Sequence, residues 1–241
     1  MVSMKQTQTI IDPQISYVIE NDMEAYRNLF LPICTTKYAY SKDTIFSRSG
    51  EISPQMYFLL EGIVKVYTVN PNGYIRILGY HRNNTFFAMD CLCGEKSAVV
   101  TIESITPVEV LPVSWQELRA AGKADPRFME DLVRYYGSVL RLMCFDAESN
   151  SVCDASARLA TFLCLFLRYR RQQGDTRSNA IFLTQDELAS AVNASRIQIA
   201  RICADFKNKG LIQCARGAIT VLDQEGLEKI SKYGGYYAAG K

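Results

Sequence analysis

The sequence lacks several features that define whole classes of protein. Among its 241 residues there is one histidine, His81, and one tryptophan. The best apolar stretch, from Thr161 to Leu167, is far shorter than the roughly 18 residues that a membrane-spanning helix needs. The first residues lack the apolar segment of a secretory signal. We therefore expect a cytoplasmic protein with no membrane segment. Because no acids, bases or metal ligands cluster around the histidine, we do not expect an enzyme.

Eight cysteines are present, but they lack the spacing of a metal site. Only Cys91 and Cys93 lie close together, and no further Cys or His follows at the spacing of a zinc site. Others, such as Cys144, Cys164 and Cys203, are scattered through apolar periodic segments. Reduced thiols are the default for a chain without an export signal. We predict no metal and no cofactor, and a redox role for Cys91 and Cys93 is left open.

Charge is unevenly distributed along the chain. Residues 1–150 hold 14 Lys and Arg against 17 Asp and Glu, a net charge of −3. Residues 151–241 hold 13 against 8, a net charge of +5. Basic side chains that neutralise phosphates supply most of the non-specific affinity of proteins for DNA. Only the C-terminal part therefore suits a polyanionic partner, although an excess of five charges is weak support by itself.

Short β-type runs, broken by turn residues, fill the segment from Tyr38 to Ser114. Two strand-like runs flank Gly62, and residues 64–69 and 74–80 form a second pair joined by Asn-Pro-Asn-Gly. Proline and glycine supply the backbone dihedrals that such turns need. The pattern predicts a compact antiparallel β-roll or barrel.

A long helix is predicted from Asp125-Pro126 onward, because aspartate caps a helix and proline is tolerated in its first turn. Two adjacent apolar stripes run along it, each at spacings of 4, 3, 4 and 3 residues. A helix on one domain needs a single stripe, so the double width suggests that one side packs on the roll and the other on a second copy of the chain. The alternative is a helix buried wholly within a monomer. The stripe that we assign to the dimer interface is Phe128, Leu132, Tyr135, Val139 and Leu142, and its neighbour is Met129, Val133, Tyr136, Leu140 and Met143.

The C-terminal part begins with a polar segment, residues 146–156, that suggests a hinge. An apolar helix is predicted over residues 157–171, followed by a polar loop and a short strand at 180–183. Thr184 and Glu187 fit a capping box at the start of the next helix.

A second helix is predicted directly after the first. The helix that begins after Thr184 ends near Asn193, and Ser195 caps another helix that ends at Gly210. A turn of about three residues between two helices is the spacing of a helix-turn-helix. Residues 211–214 and 218–222 then form a β-hairpin, the wing. This order predicts a DNA-binding module with a recognition helix over residues 195–208.

The recognition helix carries residue types that suit base edges. Its first turn reaches the major groove, where arginine pairs with guanine, glutamine with adenine, and an exposed aliphatic side chain with a thymine methyl. The alternative is that these arginines are ordinary solvated charges. The predicted DNA-binding residues are Thr184, Ser195, Arg196, Ile197, Gln198, Ile199, Arg201, Lys207 and, in the wing, Arg216.

These features together resemble the CRP/FNR superfamily of bacterial transcription factors, the relatives of the cyclic-AMP receptor and the fumarate-nitrate-reduction regulator. The resemblance covers most of the chain and is carried by Tyr57 to Val66, the long helix, Leu183 to Ala189 and Ser195 to Arg201. It implies a sensor roll, a dimerising helix and a winged helix that binds a palindromic site. Many members have a glutamate where this sequence has Ile197, so the half-site of the cyclic-AMP branch is not expected here.

The sensor departs from the branches of the family that bind known ligands. In Phe87 to Val99, the stretch that corresponds to the cyclic-nucleotide cassette, Lys96-Ser97 stands for an arginine-serine pair, at a poor spacing and with a weaker phosphate clamp. Only Cys34 precedes the roll, which disfavours an iron-sulfur cluster, and the lone His81 disfavours haem.

What remains is an unidentified small molecule or an unliganded roll. Aromatic residues between the roll and the long helix suit a pocket for an organic compound, and they suit an ordinary core equally well. The predicted effector pocket is Phe87, Met89, Asp90, Lys96, Ser97, Tyr135 and Tyr136.

The sequence therefore predicts an α+β protein with an N-terminal antiparallel β-roll (a double-stranded β-helix), a long dimerisation helix and a C-terminal winged helix-turn-helix. The predicted domains are residues 1–123, 124–153 and 154–241. The predicted function is an effector-responsive homodimeric transcriptional regulator, with double-stranded DNA, a small-molecule effector and RNA polymerase as partners. The alternatives are a dimeric regulator with a vestigial sensor and a β-roll metal enzyme.

Overall fold

A computed structural model describes residues 17–53, 55–94, 96–172, 174, 179–215 and 217–231, without the side chains of Cys91, Cys93 and Gln172. These residues separate into two compact units, one from Tyr17 to Ala147 and one from Glu148 onward. None of the helices in the described ranges combines the length and the apolar character that crossing a membrane requires.

The first unit contains two sheets, as the β-type pattern of the sequence predicts. One sheet has the order β1-β6-β5-β8-β3 and the other β2-β9-β4-β7, with β1 and β6 parallel and the other pairs antiparallel. The strands are β1 (Val18–Ile19), β2 (Tyr38–Tyr40), β3 (Ile45–Ser47), β4 (Met56–Glu61), β5 (Val64–Val69), β6 (Ile75–His81), β7 (Thr85–Phe87), β8 (Thr101–Ser104) and β9 (Val108–Val113).

Strand β4 is buried on both faces from its first residue to Leu60. Because successive side chains of a strand point to opposite faces, β4 contributes to two separate cores. Met56, Phe58 and Leu60 lie in the core that the helices cover. Tyr57 and Leu59 lie in the core inside the roll. An uninterrupted apolar run is therefore needed here, whereas an alternating pattern would suit a strand with one solvated face.

The turns that join β4, β5 and β6 have the geometry that their sequences suggest. Gly62, between β4 and β5, has a φ of +101°, and a β-carbon there would lie 2.4 Å from the carbonyl oxygen of Pro107. In the next turn Asn70 Oδ1 accepts hydrogen bonds from the backbone N–H groups of Asn72 and Tyr74, at 2.9 Å each. Strands β5 and β6 pair from Val64 opposite His81 onward. The predicted hairpin of β5 and β6 is confirmed. The predicted hairpin around Gly62 is wrong, because β4 pairs with β7 and β9 whereas β5 pairs with β6 and β8, so this turn connects the two sheets.

The described part of this unit holds the α-helices α1 (Arg27–Ile33), α2 (Trp115–Ala124) and most of α3 (Arg127–Val152), whose residues from Glu148 onward belong to the other unit. Sequence reasoning did not predict α1 or α2, although Ser114 and Glu117 form a full capping box at the start of α2. The start of α3 agrees with the prediction, since Asp125 Oδ1 accepts from the backbone N–H of Arg127 at 3.0 Å.

The two apolar stripes of α3 have opposite environments, and our assignment of the dimer interface is wrong. Phe128, Leu132, Tyr135 and Leu142 are at most 5% exposed, and Val139 packs partly buried against the same core. Side chains already buried in their own chain have no surface left for a partner. In the neighbouring stripe Met129 is 43%, Val133 68% and Leu140 63% exposed, whereas Tyr136 and Met143 are half-buried.

Helix α3 also continues through most of the segment that we interpreted as a hinge. It ends at Val152, and only Cys153 and Asp154 separate it from α4 (Ala155–Gln172). The break is therefore two residues long, and Asp154 Oδ1 caps α4 by accepting from the backbone N–H of Ala157 at 2.8 Å. The predicted division into domains stays a prediction.

The second unit has the element order expected of a winged helix. After α4 follow β10 (Ala180–Ile181), α5 (Gln185–Ala191), α6 (Arg196–Asn208), β11 (Ile212–Ala215), β12 (Ala218–Val221) and α7 (Gln224–Ile230). The sheet order is β10-β12-β11, with antiparallel pairs. Helix α7, which was not predicted, packs on α4, where Thr161 Oγ1 and Ser231 Oγ lie 2.7 Å apart.

Candidate DNA-binding surface and ligand cavity

Helices α5 and α6 both begin with a capping box, as the sequence predicts. Thr184 Oγ1 accepts from the backbone N–H of Glu187 at 3.2 Å, and Glu187 Oε2 accepts from the backbone N–H of Thr184 at 2.7 Å. In α6 the same roles belong to Ser195 and Gln198, at 3.2 and 2.8 Å. Such caps satisfy N–H groups that a helix start leaves unpaired. The hydroxyls of Thr184 and Ser195 are thus engaged in positioning the two helices.

The turn between α5 and α6 is held by a residue that sequence reasoning missed. Arg158 of α4 donates from Nε to the carbonyl of Val192 at 2.8 Å and from Nη2 to that of Asn193 at 2.9 Å. Its Nη1 donates to the carbonyl of Cys153, just after α3, at 2.6 Å. One guanidinium therefore joins the turn to the end of α3. No local motif marks this role, because the carbonyls of Val192 and Asn193 are 34 and 35 residues away from Arg158 in sequence.

A second contact joins the same two places. Asn193 Nδ2 donates to Asn150 Oδ1 of α3 at 2.9 Å. Asn193 has a φ of +52°, a left-handed conformation that asparagine tolerates better than most residues. The backbone N–H of Ala194 closes the turn by donating to the carbonyl of Ala189 at 3.0 Å. The turn therefore has a defined shape, which fixes where α6 begins.

The exposed side of α6 differs from the prediction at one important position. Ile199 is 0% exposed and packs in the core with Cys203 and Phe206, so our prediction that it contacts DNA is wrong. Ile197 is instead 66% exposed. Residues two apart on a helix point about 200° apart, so only one of the two isoleucines can face the core. Ile197 is the aliphatic side chain available to a thymine methyl.

The polar side chains in the first turn of α6 are partly engaged. Gln198 Oε1 is occupied by the cap, and a two-bond contact with adenine needs that oxygen as well as the amide nitrogen. Arg196 Nε lies 3.7 Å from Asp186 Oδ1, with both side chains about 70% exposed. An exposed ion pair of this length is worth little, so Arg196 is oriented by Asp186 without being fixed.

The remaining predicted contacts lie farther along the module. Arg201 and Lys207 are exposed on α6, whereas the neighbouring Lys209 is paired with Asp205 at 2.7 Å. Arg216, predicted to contact a phosphate, lies outside the described residues.

The first unit contains a cavity of about 220 Å³ between the roll and α3. Its wall is mostly apolar and includes Val66, Leu78 and Ile102 from the sheet. Val139, Leu142 and Met143 close it from α3. The cavity residues Phe87, Met89 and Asp90 agree with the predicted effector pocket.

The other predicted pocket residues do not line this cavity. Lys96 and Ser97 are exposed, so the proposed phosphate pair does not reach it. Tyr135 is buried in the core, and Tyr136 is half-buried beside it without reaching the cavity wall.

Tyr135 also determines which ring nitrogen of His81 carries the proton, and His81 lines the cavity. The single hydroxyl hydrogen of Tyr135 is donated to the carbonyl of Phe86 at 2.5 Å. His81 Nδ1, 3.1 Å from the same oxygen, must therefore carry a proton and donate it. Burial lowers the pKa of His81 to about 4, so the ring is neutral at pH 7. Nε2 is consequently the unprotonated nitrogen.

Asp90 is the acidic group of the cavity wall. Its carboxyl accepts a hydrogen bond from the backbone N–H of Val99, which lowers its pKa, but burial has the larger effect and raises that pKa. The other oxygen, Oδ2, is buried and has no hydrogen-bond partner among the described residues. A buried carboxylate oxygen without a partner is costly.

Two protein-family models match this chain. A model of the cyclic nucleotide-binding domain matches residues 38–125, and a model of the Crp-like helix-turn-helix domain matches residues 157–230. These matches fall on the roll and on the winged helix respectively.

Relatives match over most of their own length. The global nitrogen regulator of Nostoc sp. (strain PCC 7120) is 26% identical over 207 residues, which cover 82% of this chain and 92% of that protein. The CRP-like cAMP-activated global transcriptional regulator of Mycobacterium tuberculosis (strain H37Rv) is 26% identical over 77% of this chain and 83% of that protein. A crystal structure of a CRP/FNR-family regulator from Thermus thermophilus has the same fold, with a TM-score of 0.66 and 21% identity over 82% of this chain and 98% of that one. This chain belongs to the CRP/FNR family of DNA-binding transcriptional regulators, which are not enzymes.

Proposed function

We propose that this regulator binds a palindromic operator as a homodimer and responds to a small molecule bound in its first unit. The observation that carries the proposal is the capped pair α5–α6, which leaves Arg196, Ile197 and Arg201 on the exposed side of a positioned helix. A two-fold related pair of such helices matches a two-fold related DNA site.

Homodimerisation is supported by the exposed stripe of α3. Met129, Val133 and Leu140 repeat at spacings of 4 and 7 residues, the period of a helix that packs along another helix. A stripe of large apolar side chains on an otherwise polar helix surface is unfavourable in water. A second copy of the same helix would cover it symmetrically.

The oligomeric state tests this interface. Leu140→Glu places a charge in the stripe and is expected to give a monomer in sedimentation equilibrium. Ser138→Glu is the matched control, because Ser138 is exposed and lies about 200° around the helix from Leu140. A wild-type chain that stays monomeric at micromolar concentration contradicts the proposal.

Selection from random double-stranded DNA tests the operator. We expect a two-fold related consensus, with Arg196→Ala weakening binding to it by about 1–3 kcal/mol if the arginine pairs with a guanine. An equal loss on every sequence would make Arg196 a phosphate contact instead. Alanine variants of Arg201 and Lys207, measured on the same sequences, distinguish base contacts from phosphate contacts at these two positions.

A response to a small molecule is favoured over a vestigial sensor by the cavity beside α3. Small-molecule sites are typically clefts with a mostly apolar wall and a few polar groups. Here about 220 Å³ is left open beside a carboxylate oxygen that has no partner in the described chain. RNA polymerase as a further partner and a cytoplasmic location stay predictions.

A further inference from the structure

The wall of the cavity in the first unit disfavours the binding of anions. No lysine or arginine is among the described residues that line it, and the ionisable side chains there are Asp90, His81 and Tyr80. His81 is neutral at pH 7 because burial lowers its pKa to about 4. A phosphate or carboxylate placed in the cavity would therefore meet a carboxylate and no compensating cation, which is unfavourable in an apolar site.

The same wall requires a hydrogen-bond donor. Oδ2 of Asp90 is buried without a partner among the described residues, and an ionised carboxylate only accepts hydrogen bonds. The imidazole of His81 has already used its one proton on Tyr135. A ligand that presents an N–H or O–H to Asp90 would satisfy a group that the protein leaves unpaired.

The size of the cavity limits the ligand. An apolar cavity of about 150 Å³ is enough for benzene. With about 220 Å³, this cavity is roughly half as large again, which suits a single ring with a few substituent atoms.

We propose that the cavity binds a small apolar molecule, about one substituted ring in size, that donates a hydrogen bond to Asp90 and carries no negative charge. This inference rests on the proposed function, because it names the class of effector for that sensor. It excludes a cyclic nucleotide, whose phosphate has no counterpart in the wall.

Three probes that differ in a single substituent, together with a cyclic nucleotide, test the ligand class on the full chain. Toluene, p-cresol and p-toluate share a ring and a methyl group and differ in a hydrogen, a hydroxyl and a carboxylate; 3′,5′-cyclic AMP is the fourth probe. Isothermal titration at pH 7 is expected to show p-cresol binding at least tenfold more tightly than toluene, since a hydrogen bond to a charged group is worth more than 1.4 kcal/mol. No binding is expected for p-toluate or cyclic AMP at millimolar concentration.

Variants locate the binding. Asp90→Leu is expected to abolish the tenfold preference for p-cresol over toluene. Asp205→Leu is the matched control, because Asp205 is exposed on α6 and does not line the cavity. Val100→Phe enlarges a side chain of the wall and is expected to weaken both p-cresol and toluene at least tenfold. Circular dichroism melts establish that each variant is folded, and Val100→Phe keeps the site testable if Asp90→Leu does not fold.

The proposal is overturned if p-toluate or cyclic AMP binds more tightly than p-cresol, if none of the probes binds, or if Asp90→Leu keeps the preference for p-cresol. Operator selection is carried out without any probe. A chain that selects a two-fold site but binds none of the probes would therefore refute the ligand class and leave the DNA-binding proposal intact.

Discussion

Replacing Arg158 with glutamine is expected to loosen the turn between α5 and α6. The guanidinium lies between two helix ends, donating to the carbonyl of Cys153 after α3 and to those of Val192 and Asn193 after α5. Helix C-termini carry partial negative charge, so a cation between two of them is favourable. A glutamine side chain is shorter, uncharged and unable to reach all three carbonyls.

The magnitude follows from the environment of each bond. A hydrogen bond from a charged group contributes about 1.5–3 kcal/mol when it is shielded from water. Two of the three bonds are half-buried and the one to Asn193 is exposed, so the last contributes little. The expected loss for Arg158→Gln is about 3 kcal/mol, from two bonds at the lower end of that range. Arg158→Lys keeps the charge and regains about 1 kcal/mol, because an ammonium group lacks the planar fork.

Hydrogen exchange and DNA affinity together test this reasoning. The amide of Ala194, which closes the turn by bonding to Ala189, is expected to exchange at least a hundredfold faster in Arg158→Gln, and operator affinity is expected to fall with it. Arg201→Gln is the matched control, since Arg201 is exposed on α6 and its loss should weaken DNA binding without changing exchange at Ala194. Unchanged exchange in Arg158→Gln would refute the positioning role of Arg158.

Three further predictions concern His81, Gly62 and Asp186. Burial lowers the pKa of His81 from 6.5 to about 4, so the unfolded chain takes up this proton at a higher pH than the folded chain does. The free energy of unfolding should therefore fall by up to about 3 kcal/mol as the pH drops from about 6.5 towards 4. Urea titrations at pH 7 and pH 4.5 should show a smaller fall in His81→Gln than in the wild type. Gly62→Ala should cost more than about 2 kcal/mol in thermal melts, since its φ is +101° and a β-carbon would lie 2.4 Å from a backbone oxygen; a loss below 0.5 kcal/mol, about the scatter of neutral surface changes, would contradict this. Asp186→Asn removes the carboxylate 3.7 Å from Arg196 Nε and should tighten binding to random DNA a few-fold at low salt in fluorescence anisotropy, with the gain lost at high salt.

The parts of the fold that were predicted correctly are those with local signals. The capping boxes at Thr184 and Ser195 are satisfied by residues three positions away, so the sequence alone specifies both helix starts. The same rule applies at Ser114, where the signal for α2 was overlooked. Helix α7 begins at a capping aspartate, Asp223, without the glutamate or glutamine that completes a box, and it was missed.

Choices between two equivalent faces were not predictable in this way. Both stripes of α3 are apolar at the same spacing, and only packing on the roll decides that Phe128 is buried while Val133 is exposed. Ile197 and Ile199 present the same problem in α6, since both are β-branched and apolar. The cavity at Asp90 is formed by residues from the sheet and from α3, which are far apart in sequence. Whether a carboxylate oxygen of Asp90 has a hydrogen-bond partner is likewise decided only by the folded structure.

The cap of α6 has a consequence for the information content of the operator. Gln198 Oε1 accepts from the backbone N–H of Ser195, so an adenine that recruits both atoms of the amide must break this half of the capping box, at a cost of about 1 kcal/mol. A two-bond contact discriminates against a wrong base by about 1–3 kcal/mol, and much of that discrimination is then lost. We expect the base pair opposite Gln198 to be degenerate among natural operators. The sharpest sequence preference should fall opposite Arg196, whose guanidinium takes no part in capping the helix.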